Sequence, residues 1–370
     1  MTEFTVIGGG VIGMMVAREL ALQGTTVELL DQGQPGQEAS WAGGGILSPL
    51  HPWRYPDALL ALAKRSQLLF HKIASTLHTE TGVDPEWHQC GLLITDNQET
   101  SRALDWGKRW QTELVPLSGE ALIDCEPALN RSISEALFLP EIAQVRNPRL
   151  LQALQADLQR LDVKIYPNQA VNGFNIRQNR VSGLDTTDGP RKVSNVILCA
   201  GAWGGELLAT TGLQLPLEPV RGQMIIIRTP PGTLTRVVLH NNRYLIPRRD
   251  GRVLVGSTIE RCGFNKQTTA GAREELLKSA IALAPQLAEF PIEHHWAGLR
   301  PGSPNGVPYI GPHPEIHNFH AALGHFRNGL MLAPATAEMV AGMVTGGSSS
   351  VPATPYRLDR ELPATAQHLS

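Results

Sequence analysis

The sequence predicts an α/β protein. One part is a Rossmann-like dinucleotide-binding domain, discontinuous along the chain. The other is an α+β domain with a mainly antiparallel sheet. Three observations carry this. An apolar strand at Val6-Ile7 runs into glycines at 8, 10 and 13, matching G-x-G-x-x-G. A second apolar strand, Val193 to Cys199, runs into another glycine turn, Ala200-Gly201-Ala202-Trp203-Gly204. Beyond it, Tyr244–Arg248 and Arg252–Ser257 flank Asp250-Gly251, a strong hairpin signal.

The first 31 residues hold a complete βαβ unit. Gly8 makes the tight turn, Gly10 lets backbone approach a pyrophosphate, and Gly13 lets the helix pack on the strand. Met14 to Gln23 reads as that helix, with Gly24 as its stop. Thr25 to Asp31 is the second strand, and its terminal acid, Asp31, is placed to accept hydrogen bonds from an adenosine ribose. An ordinary β-turn-α with glycines for packing would not need that acid. Next, Ala39 to Ile46 contains Gly43-Gly44-Gly45, which lets backbone lie against something flat or charged. A flexible surface loop is the alternative, disfavoured by the embedded Trp41 and Ile46.

Asp57 to Thr81 reads as a long amphipathic helix, with Leu59, Leu62, Leu69, Ile73 and Leu77 near one face. A strand at Gly91–Ile94 opens a mixed stretch that runs to about Glu141. Asn147-Pro148 opens a helix from Arg149 to Leu161, followed by the strand Val163–Tyr166 and small β elements at Val171–Ile176 and Arg180–Leu184. Val193–Cys199 then resumes the nucleotide domain, and Leu217–Arg228 begins a β-rich block. If Asp250 and Gly251 are the two turn residues, Tyr244 pairs with Ser257 and Asn242 with Ile259, and all four share a face. A helix (Ala272 to Ala284), a strand ending Trp296 to Pro301, a strand Phe319–Leu323 and a helix Gly329–Val344 follow. The Ser/Pro/Gly-rich tail from Gly346 is expected to pack loosely.

At 370 residues the chain is long for one core, so two domains are expected. A net charge of −2, a pI near 6.6 and the lack of a basic run argue against nucleic acid or an anionic membrane as partner. Cys90, Cys125, Cys199 and Cys262 are scattered, which suits a reducing cytoplasm better than a disulfide framework or zinc site. Val6 to Ala17 is apolar, but Glu3 stands where a signal peptide carries positive charge. The most membrane-like stretch, Ala321 to Val344, contains His325, Arg327 and Glu338, so no integral membrane segment is expected. H-E-x-x-H, G-x-S-x-G and Walker loops are absent, and His294-His295 point to opposite sheet faces, so no metal is expected.

Several motifs together resemble a known family. The N-terminal βαβ unit, Gly43-Gly44-Gly45, Ala200 to Trp203, Trp296 to Pro301 and Gly324-His325-Phe326-Arg327-Asn328-Gly329 follow the order of FAD-dependent amine oxidases of the D-amino acid oxidase superfamily. Within it the chain is most similar to glycine oxidases of the thiamine-biosynthesis type. The last two motifs are the specific ones. Mammalian-type D-amino acid oxidases are glycine-rich where this chain has Arg327-Asn328.

The resemblance implies an FAD-binding domain in three segments, residues 1–82, 146–215 and 297–362, and a substrate domain at 83–145 and 216–296. It implies that the Val11 and Ile12 backbone approaches the pyrophosphate, that Gly8, Gly10, Gly13 and Gly201 belong to the cofactor-binding set, and that Asp31, Gln32 and the Val171 backbone hold the adenosine. Ala39, Ser40, Gly44, Gly45 and Ile46 would line the flavin and ribityl path. His325, Phe326, Arg327, Asn328, Gly329, Leu330 and Met331 would wrap the pyrimidine edge of the flavin. Tyr244, Arg300 and Arg327 would face a substrate carboxylate; independently of the resemblance, the hairpin alternation puts Ile259 on the Tyr244 face, where it is expected to favour small side chains. Relatives that attach FAD covalently use a cysteine in the loop after Arg300; Gly302 to Pro308 has none, so FAD is expected to be non-covalent.

Elementary chemistry agrees with those roles. A carboxylate is best held by the two parallel N–H bonds of an arginine, and Arg300 ends a strand where its side chain can reach a cleft. A structural ion pair is the alternative for Arg300, solvation beside a helix for Arg327, and a core aromatic for Tyr244. The helix beginning near Gly329 points a partly positive end toward the site and could stabilise negative charge on a reduced flavin. No general base is evident, which suits hydride transfer from a neutral amine. The expected activity is therefore oxidation of glycine, sarcosine and small D-amino acids by O2, giving a 2-oxo acid (glyoxylate from glycine), ammonia and H2O2, by a cytoplasmic homo-oligomer. The alternatives are a D-amino acid dehydrogenase passing electrons to a quinone, a nicotinamide-dependent dehydrogenase, or a non-catalytic dinucleotide-binding protein.

Overall fold

Phe4–Ile7 is buried along its whole length, and Val11–Leu22 follows it as a helix. Gly24, at φ +84°, ends that helix, and the next N–H, Thr25, bonds back to the Leu20 carbonyl at 3.2 Å. Val27–Leu30 then lies parallel to Phe4–Ile7, completing the βαβ unit. In this computed structural model, residues 3–96 and 98–361 are described.

The unit nucleates a six-stranded sheet in the order Tyr309–Pro312, Phe319–Leu323, Asn195–Leu198, Phe4–Ile7, Val27–Leu30, Lys164–Tyr166. All neighbours are parallel except the edge strand Tyr309–Pro312. Parallel strands require crossovers, and the helices Val11–Leu22, Asp57–Thr81, Asn147–Arg160 and Gly329–Thr345 share one core. The three-stranded sheet of Val171–Arg177, Arg180–Thr186 and Gly189–Lys192 packs into a second core with strand residues such as Leu30, Leu198 and Phe319.

An eight-stranded sheet forms the second layer, with Ile292–Gly302 and Glu218–Arg228 at one edge and Glu135–Leu139 and Val115–Ser118 at the other. It is antiparallel apart from Val237–His240 beside Leu92–Ile94. Its two faces bury different cores. Leu245, Val253 and Val255 pack with Leu276 and Ala280 of the helix Ala270–Leu283, whereas Met224, Tyr244 and Ile246 share the opposite core with Trp53 and Leu50.

Four expectations need correction or qualification. The helix Asp57–Thr81 has the expected ends, but its buried stripe runs through Leu59, Leu62, Ser66, Phe70, Ala74 and Leu77, and Leu69 and Ile73 are only half-buried. The hairpin register is shifted by one: Tyr244 faces Gly256 rather than Ser257. The cause is a three-residue loop, Arg249-Asp250-Gly251, closed by Arg248 N–H to the Arg252 carbonyl at 2.7 Å, with Gly251 at φ +90°. Asn242 accordingly sits in the short turn between His240 and Arg243. The tail is not loose as far as it is described: Val351, Tyr356 and Leu358 are buried, and the Tyr356 hydroxyl donates to the Ala58 carbonyl. Finally, the expected division at 296/297 falls inside Ile292–Gly302, which pairs with Glu218–Arg228 from end to end. The outer domain limits, residues 1 and 362, lie outside the described residues.

Candidate active site

A cleft runs between the first glycine turn and the cavity-facing side of the eight-stranded sheet. It comprises two adjoining cavities, which share Gly10, Ala39, Ser40, Cys199 and Gly201. One is lined by Gly8, Asp31, Gln32 and Val171; the other by Val11, Ile12, Gly44, Gly45 and Ile46. His325, Phe326, Arg327, Asn328, Gly329, Leu330 and Met331 also line the second. Gly13 lines neither: a side chain there would overlap the Gly8 carbonyl, so this glycine permits helix and strand to touch.

Two turn residues are already engaged. Asp31 accepts from Gly9 N–H at 2.6 Å and Gly33 N–H at 2.8 Å, so it braces the glycine turn as well as facing the cleft. A carboxylate oxygen can accept more than one hydrogen bond, so a further donor can be added. Glu28 has no such freedom; it is buried against Thr5 and Arg191. Val11 N–H donates to Ser40 Oγ at 2.9 Å, so an anion at the helix end would share that donor.

The Ala39–Ile46 stretch is one helical turn, Ala39–Ala42, followed by the three glycines. Gly45 has φ +80°, and a side chain on it would overlap the Val145 carbonyl; a Cβ on Gly44 would come within 2.6 Å of Ile246. The loop is held from several sides. Asn147 Nδ2 donates to Ser40 O at 2.7 Å, Trp296 Nε1 to Ala42 O at 3.1 Å, and Arg248 Nη2 to Gly44 O at 2.9 Å. Arg248 also donates to Gln144 and Val145, and burial lowers its pKa to about 10. Sequence reasoning missed Arg248 and the structural part of Asn147, because both act on residues distant in the chain.

At the substrate end, the sheet register sets a row of Trp296, Met224, Gly256 and Tyr244 across adjacent strands. Gly256 has no side chain, so the Tyr244 ring lies over it, and its hydroxyl reaches Met224 Sδ at 3.8 Å. Arg300 occupies the space left by Gly222, where any Cβ would collide with the guanidinium. Arg300 Nη2 donates to Ser257 Oγ at 2.8 Å and Nη1 to Thr258 O at 3.2 Å. Burial lowers the Arg300 pKa to about 10; the neighbouring Arg327 charge adds to this and Tyr244 opposes it. Tyr244, Arg300 and Arg327 therefore converge on one cavity. Ile259 does not join them: the register shift and the return of the chain to pair Glu260 with Arg221 leave it outside the cavity lining. Gly222 was missed, although a glycine inside a strand marks a close approach.

Gly329–Thr345 begins at the cavity, preceded by a short turn at Phe326–Asn328. His325 is buried, bonded through Nε2 to Thr336 Oγ1 at 3.1 Å, and burial lowers its pKa to about 3, so it is neutral at physiological pH. Arg327 Nη2 and Asn328 Nδ2 are buried donors with no protein partner among the described residues. A long cleft with a glycine turn and acid at one end, and unpaired buried donors at the other, fits an extended dinucleotide whose far ring presents carbonyl acceptors. Among the described residues, no cluster of His, Cys, Asp or Glu is placed to hold a metal ion, and no helix is long and apolar enough to cross a membrane.

Comparison with known proteins gives a consistent picture. Residues 3–343 match the DAO family, described as FAD dependent oxidoreductase. The chain is 45% identical over 355 residues to a glycine oxidase of Pseudomonas putida, covering 96% of this chain and 97% of that protein. It is 33% identical over 348 residues to a bifunctional ThiO/ThiG protein of Trichormus variabilis, covering 92% of this chain and 52% of that longer protein. Among solved structures, glycine oxidase from Geobacillus kaustophilus superposes with a TM-score of 0.92 at 30% identity, covering 98% of this chain and 99% of that one.

Proposed function

The chain belongs to the family of FAD dependent oxidoreductases, and on that premise we propose that it oxidises glycine and other small amines, with O2 as acceptor, in thiamine biosynthesis. The observation that carries the substrate class is the convergence of Arg300, Arg327 and Tyr244 on one cavity: two cations and a phenol suit a small carboxylate. The products from glycine are glyoxylate, ammonia and H2O2. FAD, when bound, would supply a two-electron acceptor for oxidation at the amine-bearing carbon, with O2 as the final acceptor. The family reading favours FAD over the nicotinamide alternative.

The chain's own residues have assignable work. Asp31, Gln32 and Val171 would hold the adenosine, and Gly8, Gly10, Val11 and Ile12 would admit the pyrophosphate at a helix N-terminus. Ala39, Ser40, Gly44, Gly45 and Ile46 would bound the ribityl and ring path, and His325 to Met331 would close the pyrimidine edge, where Arg327 and Asn328 present unpaired donors. Arg300 would fix the substrate carboxylate and Tyr244 one of its oxygens. This orients the amine carbon without a base, since hydride departure removes no proton from carbon. We assign the six-stranded sheet and its helices to cofactor binding and the eight-stranded sheet to substrate binding; Ile292–Gly302 runs from the second into the cleft.

Anaerobic mixing with glycine, sarcosine and D-alanine tests this. The yellow flavin should bleach, and air should restore it with release of peroxide. Bleaching without reoxidation by air would indicate a dehydrogenase that uses a quinone. Acid precipitation should leave the colour in the supernatant, because no cysteine lies between Gly302 and Pro308. A cytoplasmic location belongs to the same reading, supported by four free cysteines; a homo-oligomer belongs to it as well, and sedimentation checks the copy number.

A further inference from the structure

Arg300 is held by oxygens that bear no charge: Ser257 Oγ at 2.8 Å and the Thr258 carbonyl at 3.2 Å. Ser257 is fully buried. Glu260, an acid whose charge reaches Arg300, is committed elsewhere. One of its oxygens pairs with Arg221, and the other accepts from Gln223 Nε2 at 2.8 Å and Thr258 Oγ1 at 2.5 Å. Arg221 is itself fixed, donating to the Gln267 carbonyl at 2.8 Å and exchanging backbone hydrogen bonds with Glu260.

We infer that Ser257 is a positioning residue for carboxylate recognition, and that Arg221 keeps Glu260 from neutralising Arg300. This rests on the reading of Arg300 as the carboxylate clamp. A guanidinium has five N–H donors in one plane. Ser257 and Thr258 fix that plane using two of them and leave the positive charge uncancelled. A carboxylate in the place of Ser257 would orient Arg300 equally well but would compete with the substrate for the same charge. The network Arg221–Glu260–Thr258–Ser257 thus separates orientation from neutralisation.

Acetate is the probe, titrated into the FAD-bound protein and followed by the change in flavin absorbance, so that binding is read apart from turnover. Ser257→Ala should weaken acetate about 10- to 150-fold, the loss of one hydrogen bond to a charged group. It should raise KM for glycine more than it lowers kcat, and Ser257→Thr, which keeps the hydroxyl, should recover most of the affinity. Arg221→Met should also weaken acetate, because Glu260 is then free to turn to Arg300. Arg221→Met combined with Glu260→Gln should restore it. An acetate affinity within about twofold of wild type in Ser257→Ala that retains FAD would overturn the positioning role. A double variant no better than Arg221→Met would overturn the role of Arg221. Unchanged acetate binding in Arg300→Ala would instead remove the clamp on which both roles depend.

Discussion

Arg300 and Gly222 are two halves of one feature, a buried cation and the missing side chain that gives it room. In a closed cavity the substrate carboxylate sheds water, so deleting its partner leaves a desolvated charge unpaired. Arg300→Ala should cost about 3–5 kcal/mol, or roughly two to four decades in kcat/KM for glycine, while FAD stays bound. Arg300→Lys should recover part of this, since an ammonium cannot reproduce a two-pronged contact. An amine without a carboxylate should be nearly indifferent to both changes. If Arg327→Ala is the damaging variant and Arg300→Ala is not, the clamp is the other arginine. Gly222→Ala should perturb both activity and stability. Its methyl would push into the buried, hydrogen-bonded Arg300 guanidinium, so KM for glycine should rise at least about tenfold and the melting temperature should fall. A normal KM in that variant would show that the guanidinium can shift without losing the substrate.

Elements rather than single residues shape the cofactor end. Asp31 closes the second strand, yet its carboxylate reaches back to Gly9 and forward to Gly33, tying strand end to glycine turn. Asp31→Ala should weaken FAD about 10- to 150-fold, matching hydrogen bonds to a charged acceptor worth about 1.5–3 kcal/mol. Fluorescence titration of the apoprotein measures it, and an unchanged affinity would remove Asp31 from the cofactor site. Another tie joins the short turn Pro52–Arg54 to the helix Thr100–Trp110. Glu99 accepts from Trp53 Nε1, Arg54 Nε and Arg102 Nη1, and despite a desolvation cost these bonds hold its pKa at about 2. A carboxylate depressed in the folded state contributes stability above its ordinary pKa and loses it as pH falls through the folded value. Between pH about 4.5 and about 2, wild type should therefore lose thermal stability faster than Glu99→Gln, whereas at pH 7 wild type should be the more stable. Parallel melting curves for the two proteins would contradict that role for Glu99.

Across the whole molecule, the last described segment links distant parts. Tyr356 is buried in the core shared by the four sheet-covering helices and bonds to the Ala58 carbonyl, while Arg360 lies over the Tyr309 ring at 3.6 Å and donates to the Val307 and Pro308 carbonyls. The edge strand of the six-stranded sheet is thereby tied down after the chain has left it. Tyr356→Ala should cost about 3–5 kcal/mol, as for other large core aromatics, and lower the melting temperature accordingly. A shift of only a degree or two would mean that the segment rests on the core without stabilising it.

The local patterns were legible without coordinates. Glycines at 8 and 13, beside the strand and helix of the first unit, admit few alternatives, because a side chain at either would overlap neighbouring backbone. Helix ends such as Gly24 and Gly82 follow from backbone dihedrals that other residues avoid. The motif Gly324 to Gly329 likewise marked the cleft through its order along the chain. What sequence could not supply was anything set by strand register or by contacts between remote segments. Alternation along Tyr244 to Ile259 holds only if the loop length is known, and one additional loop residue moved Ser257 from beside Tyr244 to beneath Arg300. Composition made the tail look loose, yet three buried side chains outweigh its glycines and prolines. Local sterics belong to a few adjacent residues and are written in them. The partners of Arg300, Arg248 and Tyr356 are chosen only when sheets and helices have packed, because burial is a property of the assembled surfaces.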